Sequence, residues 1–168
     1  DETLFPAVGE GTVYAGSTGG ALYAVEYGSQ QWTFETAGPI RSPPVVVEAT
    51  VVVGDTEGTL YGVDAATGEQ QWTHSLAGPV VSSPVESEGI VYVGANELYA
   101  IDAAAGTEQW MYSGDASIRS PAVLRETDTV YAGSSGGSVY AVDAADGSEL
   151  WTREVGGPAS LAPTVRAE

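Results

Sequence analysis

Apolar positions in this chain come in short runs, and the polar breaks between them recur in a fixed order. Four runs make one unit. The first follows a proline, as in Pro44 to Val47, Pro84 and Val85, and Pro121 to Leu124. The second is a Val-Tyr-x-Gly phrase: Val13 to Gly16, Val51 to Gly54, Val91 to Gly94, Val130 to Gly133. The third is a Leu-Tyr-x-Val phrase: Leu22 to Val25, Leu60 to Val63, Leu98 to Ile101, Val139 to Val142. The fourth carries a tryptophan, as in Gln71 to His74. Valine, tyrosine and threonine fill the runs, while glycine, aspartate and serine fill the gaps, which predicts strands joined by tight turns. No window shows the apolar period of an amphipathic helix. Val51 to Val53 is continuously apolar, as expected of a sheet covered on both faces.

The tryptophans set the length of the unit. Trp32, Trp72, Trp110 and Trp151 stand 40, 38 and 41 residues apart, so four units fill nearly all 168 residues. Four short strands in about 40 residues predict a propeller blade. The expected fold is an all-β, single-domain β-propeller of four four-stranded blades, with repeats at 4–42, 43–83, 84–120 and 121–160. A blade cannot bury both faces alone, so it needs neighbours stacked around an axis. Zero cysteines remove disulfides, thiolate catalysis and cysteine-ligated metal.

The phrase Ala-x-x-Gly-x-x-x-Trp occurs three times, as Ala65, Gly68, Trp72; Ala103, Gly106, Trp110; and Ala144, Gly147, Trp151. It resembles the tryptophan-docking motif of the pyrroloquinoline quinone (PQQ) type propeller repeats, found in quinoprotein dehydrogenases and in an outer-membrane-assembly scaffold lipoprotein. The likeness runs from about Leu4 to the end. It implies that each glycine turns the chain between third and fourth strands, and that each indole packs between adjacent blades. A large ring buried there binds the blades, and a glycine permits the close approach. The first repeat departs from the phrase: Gly28 and Trp32 survive, but nine residues separate Tyr23 from Trp32, against eleven from Tyr61 to Trp72. The third is shorter at Gly94 to Tyr99. Tyr23, Tyr61, Tyr99 and Tyr140, one per third run, are read as packing residues. So is His74, which shares its slot with Phe34, Tyr112 and Arg153.

Charge changes the picture next. Five arginines (Arg41, Arg119, Arg125, Arg153, Arg166), no lysine and 23 acids give a net −18. Such self-repulsion opposes compaction in dilute buffer, and molar salt, with a screening length of about 3 Å, removes most of it. The composition is that expected of an extreme halophile; the alternative is an acidic face for a cationic partner. The same field argues against nucleic acid and against anionic lipid. No membrane span or targeting segment is visible. The chain begins at Asp1, which reads as a processed or excised piece, and the family likeness favours an extracytoplasmic or cell-surface site, with the cytoplasm as alternative.

The ends pose a question of closure. Both "LFPAVGEG" and the tail at 161–168 read as first strands, giving five of these against four of each other kind. Three assemblies satisfy this: a four-blade ring closed or covered by the tail, half of an eight-bladed ring (the number typical of the family) completed by a second chain as a homodimer, or part of a longer propeller. The ring and its dimeric doubling are favoured over the open fragment.

Candidate chemistry is sparse. First strands line a propeller's channel, and Arg41 and Arg119 each stand nine residues after a tryptophan, in the phrase Ile-Arg-Ser. In a closed four-blade ring they would oppose one another at the channel mouth beside Ser42 and Ser120, as a site for a carboxylate, phosphate or chloride; the competing reading pairs each arginine with a local acid. Asp55 and Glu57 offer hard oxygens for calcium, but the other repeats do not repeat them, and a solvated turn explains them as well. Asp64, Asp102 and Asp143 are expected to cap turns. No catalytic residue is assigned. The expected function is a non-enzymatic scaffold for protein interaction or assembly, with no cofactor. The alternatives are a PQQ/calcium quinoprotein dehydrogenase fragment, whose vicinal cysteines and calcium ligand set are missing here, and a small anion or sugar binder at the channel mouth.

Overall fold

Each predicted run folds as a strand, and each four-run unit as one antiparallel sheet. The computed structural model describes residues 2–124 and 127–158. Blade one holds β1 (Leu4–Gly9), β2 (Thr12–Ser17), β3 (Ala21–Glu26) and β4 (Ser29–Glu35). Blade two holds β5 (Val45–Val47), β6 (Thr50–Gly54), β7 (Thr59–Asp64) and β8 (Gln70–Ser75). Blade three holds β9 (Val85–Ser87), β10 (Ile90–Gly94), β11 (Leu98–Asp102) and β12 (Glu108–Tyr112). Blade four holds β13 (Ile118–Leu124), β14 (Thr129–Ser134), β15 (Ser138–Asp143) and β16 (Glu149–Glu154). Within each sheet the strands pair in sequence order. The first strands run as a series, β1 beside β5, β5 beside β9 and β9 beside β13. The tail at 161–168, read from sequence as a fifth first strand, lies outside the described residues.

The register explains how the indoles are aimed. Every tryptophan pairs across the ladder with a small third-strand residue: Trp32 with Ala24, Trp72 with Gly62, Trp110 with Ala100, Trp151 with Ala141. A register shift follows in all four ladders, skipping the residue before the tryptophan. Such a bulge bends the strand and redirects its side chains. The small partner leaves room for the ring to lie over the sheet.

The core is a stack of layers between blades. Tyr14, Leu22 and Ala24 of blade one pack with Val51, Val53, Tyr61 and Val63 of blade two, capped by Ile40 from the connecting segment. The layer between blades two and three gathers Val52, Leu60, Val80, Val93, Tyr99 and Ile101. The next gathers Tyr92, Leu98, Trp110, Ile118, Val130 and Tyr140. Val51, Val52 and Val53 are all fully buried because one feeds the layer on each side in turn, as their unbroken apolar run predicts.

Candidate functional site

Three seams join the four blades, and each uses the same parts. The indole N–H of Trp32 donates to the Ala65 carbonyl at 3.0 Å, that of Trp72 to Ala103 at 2.9 Å, and that of Trp110 to Ala144 at 2.8 Å. Beneath each ring lies the docking glycine of the next blade, held left-handed: Gly68 (φ 75°), Gly106 (φ 68°) and Gly147 (φ 75°). A Cβ on Gly106 would stand 2.4 Å from the Trp72 ring, so no other residue fits without displacing the indole. Tyr14 and Tyr92 lean against Trp32 and Trp110 with ring centroids 5.8 and 5.7 Å apart.

The fourth docking set is not engaged. Trp151 is 46% exposed, and among the described residues its indole N–H has no partner and nothing lies over Gly28. Among the described residues, docking is seen for Trp32, Trp72 and Trp110 over Gly68, Gly106 and Gly147, and not for Trp151 or Gly28. Among the described residues no seam joins blade four to blade one, so neither the outgoing indole nor the incoming turn meets a mate there. The turn also differs: Tyr27 and Gly28 (φ 47° and 78°) make a two-residue hairpin where the other blades have the longer Ala-x-x-Gly loop.

A second device stitches the seams at the other ends of the strands. The third-strand tyrosine hydroxyl accepts the backbone N–H of the preceding blade's exit segment: Ala37 to Tyr61, Ala77 to Tyr99, Asp115 to Tyr140. The same hydroxyl donates to a carboxylate drawn from a different place each time, namely Asp55, Glu97 and Asp115. Burial, then the bond to Glu97, pushes the Tyr99 phenol up to about 12. Burial likewise raises Tyr61, with Asp55 adding to it. Asp115 accepts from the hydroxyls of Ser134, Tyr140 and Ser138, which hold its carboxyl down at about 2. On the outer strands, His74 meets Glu108 at 3.4 Å and the Tyr112 hydroxyl donates to Glu149, the equivalent glutamate one blade on. The His74 slot thus serves as an inter-blade contact as well as packing.

The other sequence candidates separate under this geometry. Asp55 is fully buried, and its two carboxylate oxygens accept from Gly38 N–H, Glu57 N–H, Thr59 N–H and the Tyr61 hydroxyl. It clamps a hairpin and ties it to the previous blade, while Glu57 is exposed. Among the described residues no cluster of three His, Cys, Asp or Glu side chains is placed to hold a metal ion. Asp64 and Asp102 cap their docking turns through bonds to Ala66, Thr67, Ala104 and Ala105 N–H groups, and Asp143 does so to Ala145.

Arg41 is exposed in the segment before β5, and Arg119 is part-buried in β13, where it pairs with Gly133. Their opposition across an axis requires a closed four-blade ring, and the seam that would close it is not formed among the described residues. Neither arginine makes an ion pair among the described residues; the one pair found there is His74 with Glu108. Ser42, beside Arg41, is buried with its hydroxyl unpartnered, whereas its counterpart Ser82 donates to the Gly94 carbonyl at 2.8 Å. Ser120 lies in β13 by its backbone, and its side chain is outside the described set.

Sequence reasoning missed Asp115, Glu97 and the tyrosine stitches. Their signal is weak, because the carboxylate occupies a different repeat position in each blade. It also missed the sidedness of charge. The first hairpin of each blade turns on an acid held left-handed, Glu10, Glu48, Glu88 and Asp128, at φ between 47° and 53°. These turns share an end of the blades with Asp64, Asp102 and Asp143, while Arg41, Arg119 and Arg153 sit toward the opposite end. Shallow grooves run along the seams at the acidic end, one lined by Glu88, Trp110, Asp128 and Ala144, another by Glu10, Trp32, Glu48 and Asp64.

A family profile described as outer membrane protein assembly factor BamB matches residues 2–75 and 28–165. Curated protein sequences give no match. Among solved structures, BamB from Moraxella catarrhalis superposes with a TM-score of 0.78 at 23% identity, over 93% of this chain and 51% of that one. The computationally designed Ika8 protein superposes with a TM-score of 0.85 at 18% identity, over 96% of this chain and 52% of that one. Quinohemoprotein alcohol dehydrogenase from Comamonas testosteroni gives 0.79 at 18% identity, over 92% of this chain and 35% of that one. The chain thus spans about half the length of the first two and a third of the last, and at these identities the likeness is one of fold. With its four sheets, its docked indoles and a profile matched across nearly its whole length, the chain belongs to the BamB-like family of PQQ-type β-propeller repeats.

Proposed function

We propose that this protein is a non-enzymatic propeller scaffold that binds protein partners during assembly outside the cytoplasm of an extreme halophile. The observation that carries this reading is how the polar side chains are spent. The buried or clustered carboxylates and phenols are committed to holding blades together, while the periodic acids of the hairpin turns face solvent beside the seam grooves. Such a surface suits contact with another protein at high salt, where repulsion is screened and apolar contact is strengthened. The match to a family described as an outer membrane protein assembly factor supports the assembly role.

The test is affinity isolation from envelopes of the source cell in several-molar KCl, comparing parent with a Glu48→Lys, Glu88→Lys double variant. A protein recovered in fixed ratio by the parent and lost with the variant supports the scaffold. Dye-linked alcohol oxidation on adding PQQ and calcium would replace it with the dehydrogenase reading. A second reading has one observation behind it: Arg41 and Arg119 have no ion pair among the described residues, in a chain of net charge −18. Small-anion titration that moves a spectroscopic signal in the parent, but not in Arg41→Ala or Arg119→Ala, would establish an anion site.

A further inference from the structure

The groove along the seam between blades one and two has an apolar floor and an acidic rim. Tyr14, Ala24, Trp32 and Ala65 form the floor, with exposed Ala66 at its lip. The Tyr14 hydroxyl and the Trp32 indole N–H both donate to the Ala65 carbonyl, at 3.3 and 3.0 Å. The two rings lean together with centroids 5.8 Å apart. With both polar ends turned to that carbonyl, the rings offer the groove carbon surface.

Glu10, Glu26, Glu48 and Asp64 line the same groove. Asp64 caps its docking turn, but the carboxylates of Glu10, Glu26 and Glu48 hold no hydrogen bond or ion pair among the described residues. They differ in this from Asp55, Glu97 and Asp115, each of which accepts from a tyrosine. No arginine lines the groove, and Arg41 lies toward the other end of the blades. The next seam repeats the plan, with Glu48, Glu88 and Asp102 around Ala49, Ile90 and Ala103. Glu48 and Ala49 are thus a wall common to both grooves.

We propose that these grooves seat arginine side chains carried on an extended segment of a protein partner, an inference that rests on the scaffold reading above and names the partner's chemistry. Arginine matches both parts of the groove. Its methylene stem and flat guanidinium lie on aromatic and alanine carbon, where a cation over a ring is favoured. Its fork of donors meets carboxylates that have no other partner among the described residues. A bare metal ion fits poorly, because no three acids converge among those residues. An acidic or uncharged segment would leave the rim carboxylates covered and unpaired. The first groove, of about 370 Å³, has room for one long side chain, and its neighbour, of about 350 Å³, for the next along the segment. Molar salt shortens screening to about 3 Å, so attraction at a distance between this −18 chain and any polycation vanishes while pairs in contact persist.

Calorimetric titration in several-molar KCl with the peptide Ac-Thr-Arg-Val-Arg-Thr-amide tests this, against the same peptide with citrulline for arginine. The arginine peptide binds, and it moves the Trp32 indole signal in nitrogen-15 spectra while leaving that of Trp151 in place. Citrulline, similar in shape but uncharged, weakens binding about tenfold or more. Glu26→Gln and Glu48→Gln each weaken the arginine peptide about tenfold, with an unchanged circular dichroism spectrum because neither carboxylate holds the fold. No binding of the arginine peptide, equal binding of the two peptides, parent affinity in both variants, or a shift at Trp151 in place of Trp32 overturns the proposal. The scaffold reading is decided separately, by whether the parent chain isolates a partner from envelopes. A partner recovered equally by the parent and by the Glu26→Gln, Glu48→Gln chain would refute the grooves and keep the scaffold.

Discussion

The seam between blades three and four and the free edge of blade four are built from the same phrase of sequence. In the first, Trp110 is 8% exposed, hydrogen-bonded to Ala144 and seated over Gly147; in the second, Trp151 is 46% exposed and bonded to nothing described. The bulge and the small cross-strand partner that aim the ring are the same in both. What differs at the ring is that the Ala144 to Gly147 turn of the next blade covers Trp110. Docking energy in this fold is therefore a property of the pair of blades. A repeat protein of this kind gains stability interface by interface.

The largest effect expected from that contrast is on the indoles themselves. Trp110→Ala removes a buried ring from a sealed seam and should cost about 3–5 kcal/mol. Trp151→Ala, which removes a half-exposed ring, should cost less than about 1 kcal/mol. Urea unfolding in molar KCl measures both, and equal losses would break the comparison. Next come the glycines beneath the rings. Gly106→Ala meets the Trp72 ring as well as a left-handed backbone and should cost about 3 kcal/mol, whereas Gly28→Ala meets only the backbone term, about 1–2 kcal/mol.

The tyrosine stitches give a smaller contrast. Tyr61→Phe leaves the Ala37 N–H and one acceptor of buried Asp55 without a partner, a loss of about 1–2 kcal/mol. Tyr23→Phe removes a hydroxyl that bonds to none of the described residues, and its effect should stay within about 0.5 kcal/mol. The smallest effect is pH-dependent. Asp115 is held at about 2 by hydroxyl bonds from Ser134, Tyr140 and Ser138, below its ordinary 3.8. The unfolded chain thus binds the extra proton first. The contribution is fully present above about pH 4 and is lost as pH falls from there toward 2. Asp115→Asn should flatten the dependence of the melting midpoint on pH in that window when measured at constant molar salt. An unchanged slope would show that the hydroxyl cluster contributes nothing.

Most of the fold was legible because its information is local and periodic. The Val-Tyr-x-Gly and Leu-Tyr-x-Val phrases, with tryptophans about 40 residues apart, specify the four strands of a blade directly. The docking motif names both parts of each seam. Boundaries were less legible where proline intervened. β5 and β9 begin one residue after Pro44 and Pro84, but β13 starts earlier, at Ile118, and passes Pro121 with a register irregularity between Arg119 and Ala122. A bulge lets a strand carry a residue that cannot donate to the ladder. Closure was not legible, since whether Trp151 finds a mate depends on geometry accumulated over four blades. The site was legible in residue type only. Asp55 reads as an available carboxylate in sequence, and its burial comes from the Gly38 segment of the blade before it. Asp115 and Glu97 do the same work from other repeat positions, so no alignment of the repeats against one another reveals them.

The account rests on three sealed indoles and one open one. Hydrogen exchange of the four tryptophan side-chain N–H groups, followed by nitrogen-15 NMR in molar KCl, reads this directly. Three signals should be strongly protected and one, assigned to Trp151, should exchange at the rate of a solvent-exposed indole. Four equally protected signals, or a fast one belonging to Trp32, Trp72 or Trp110, would contradict it.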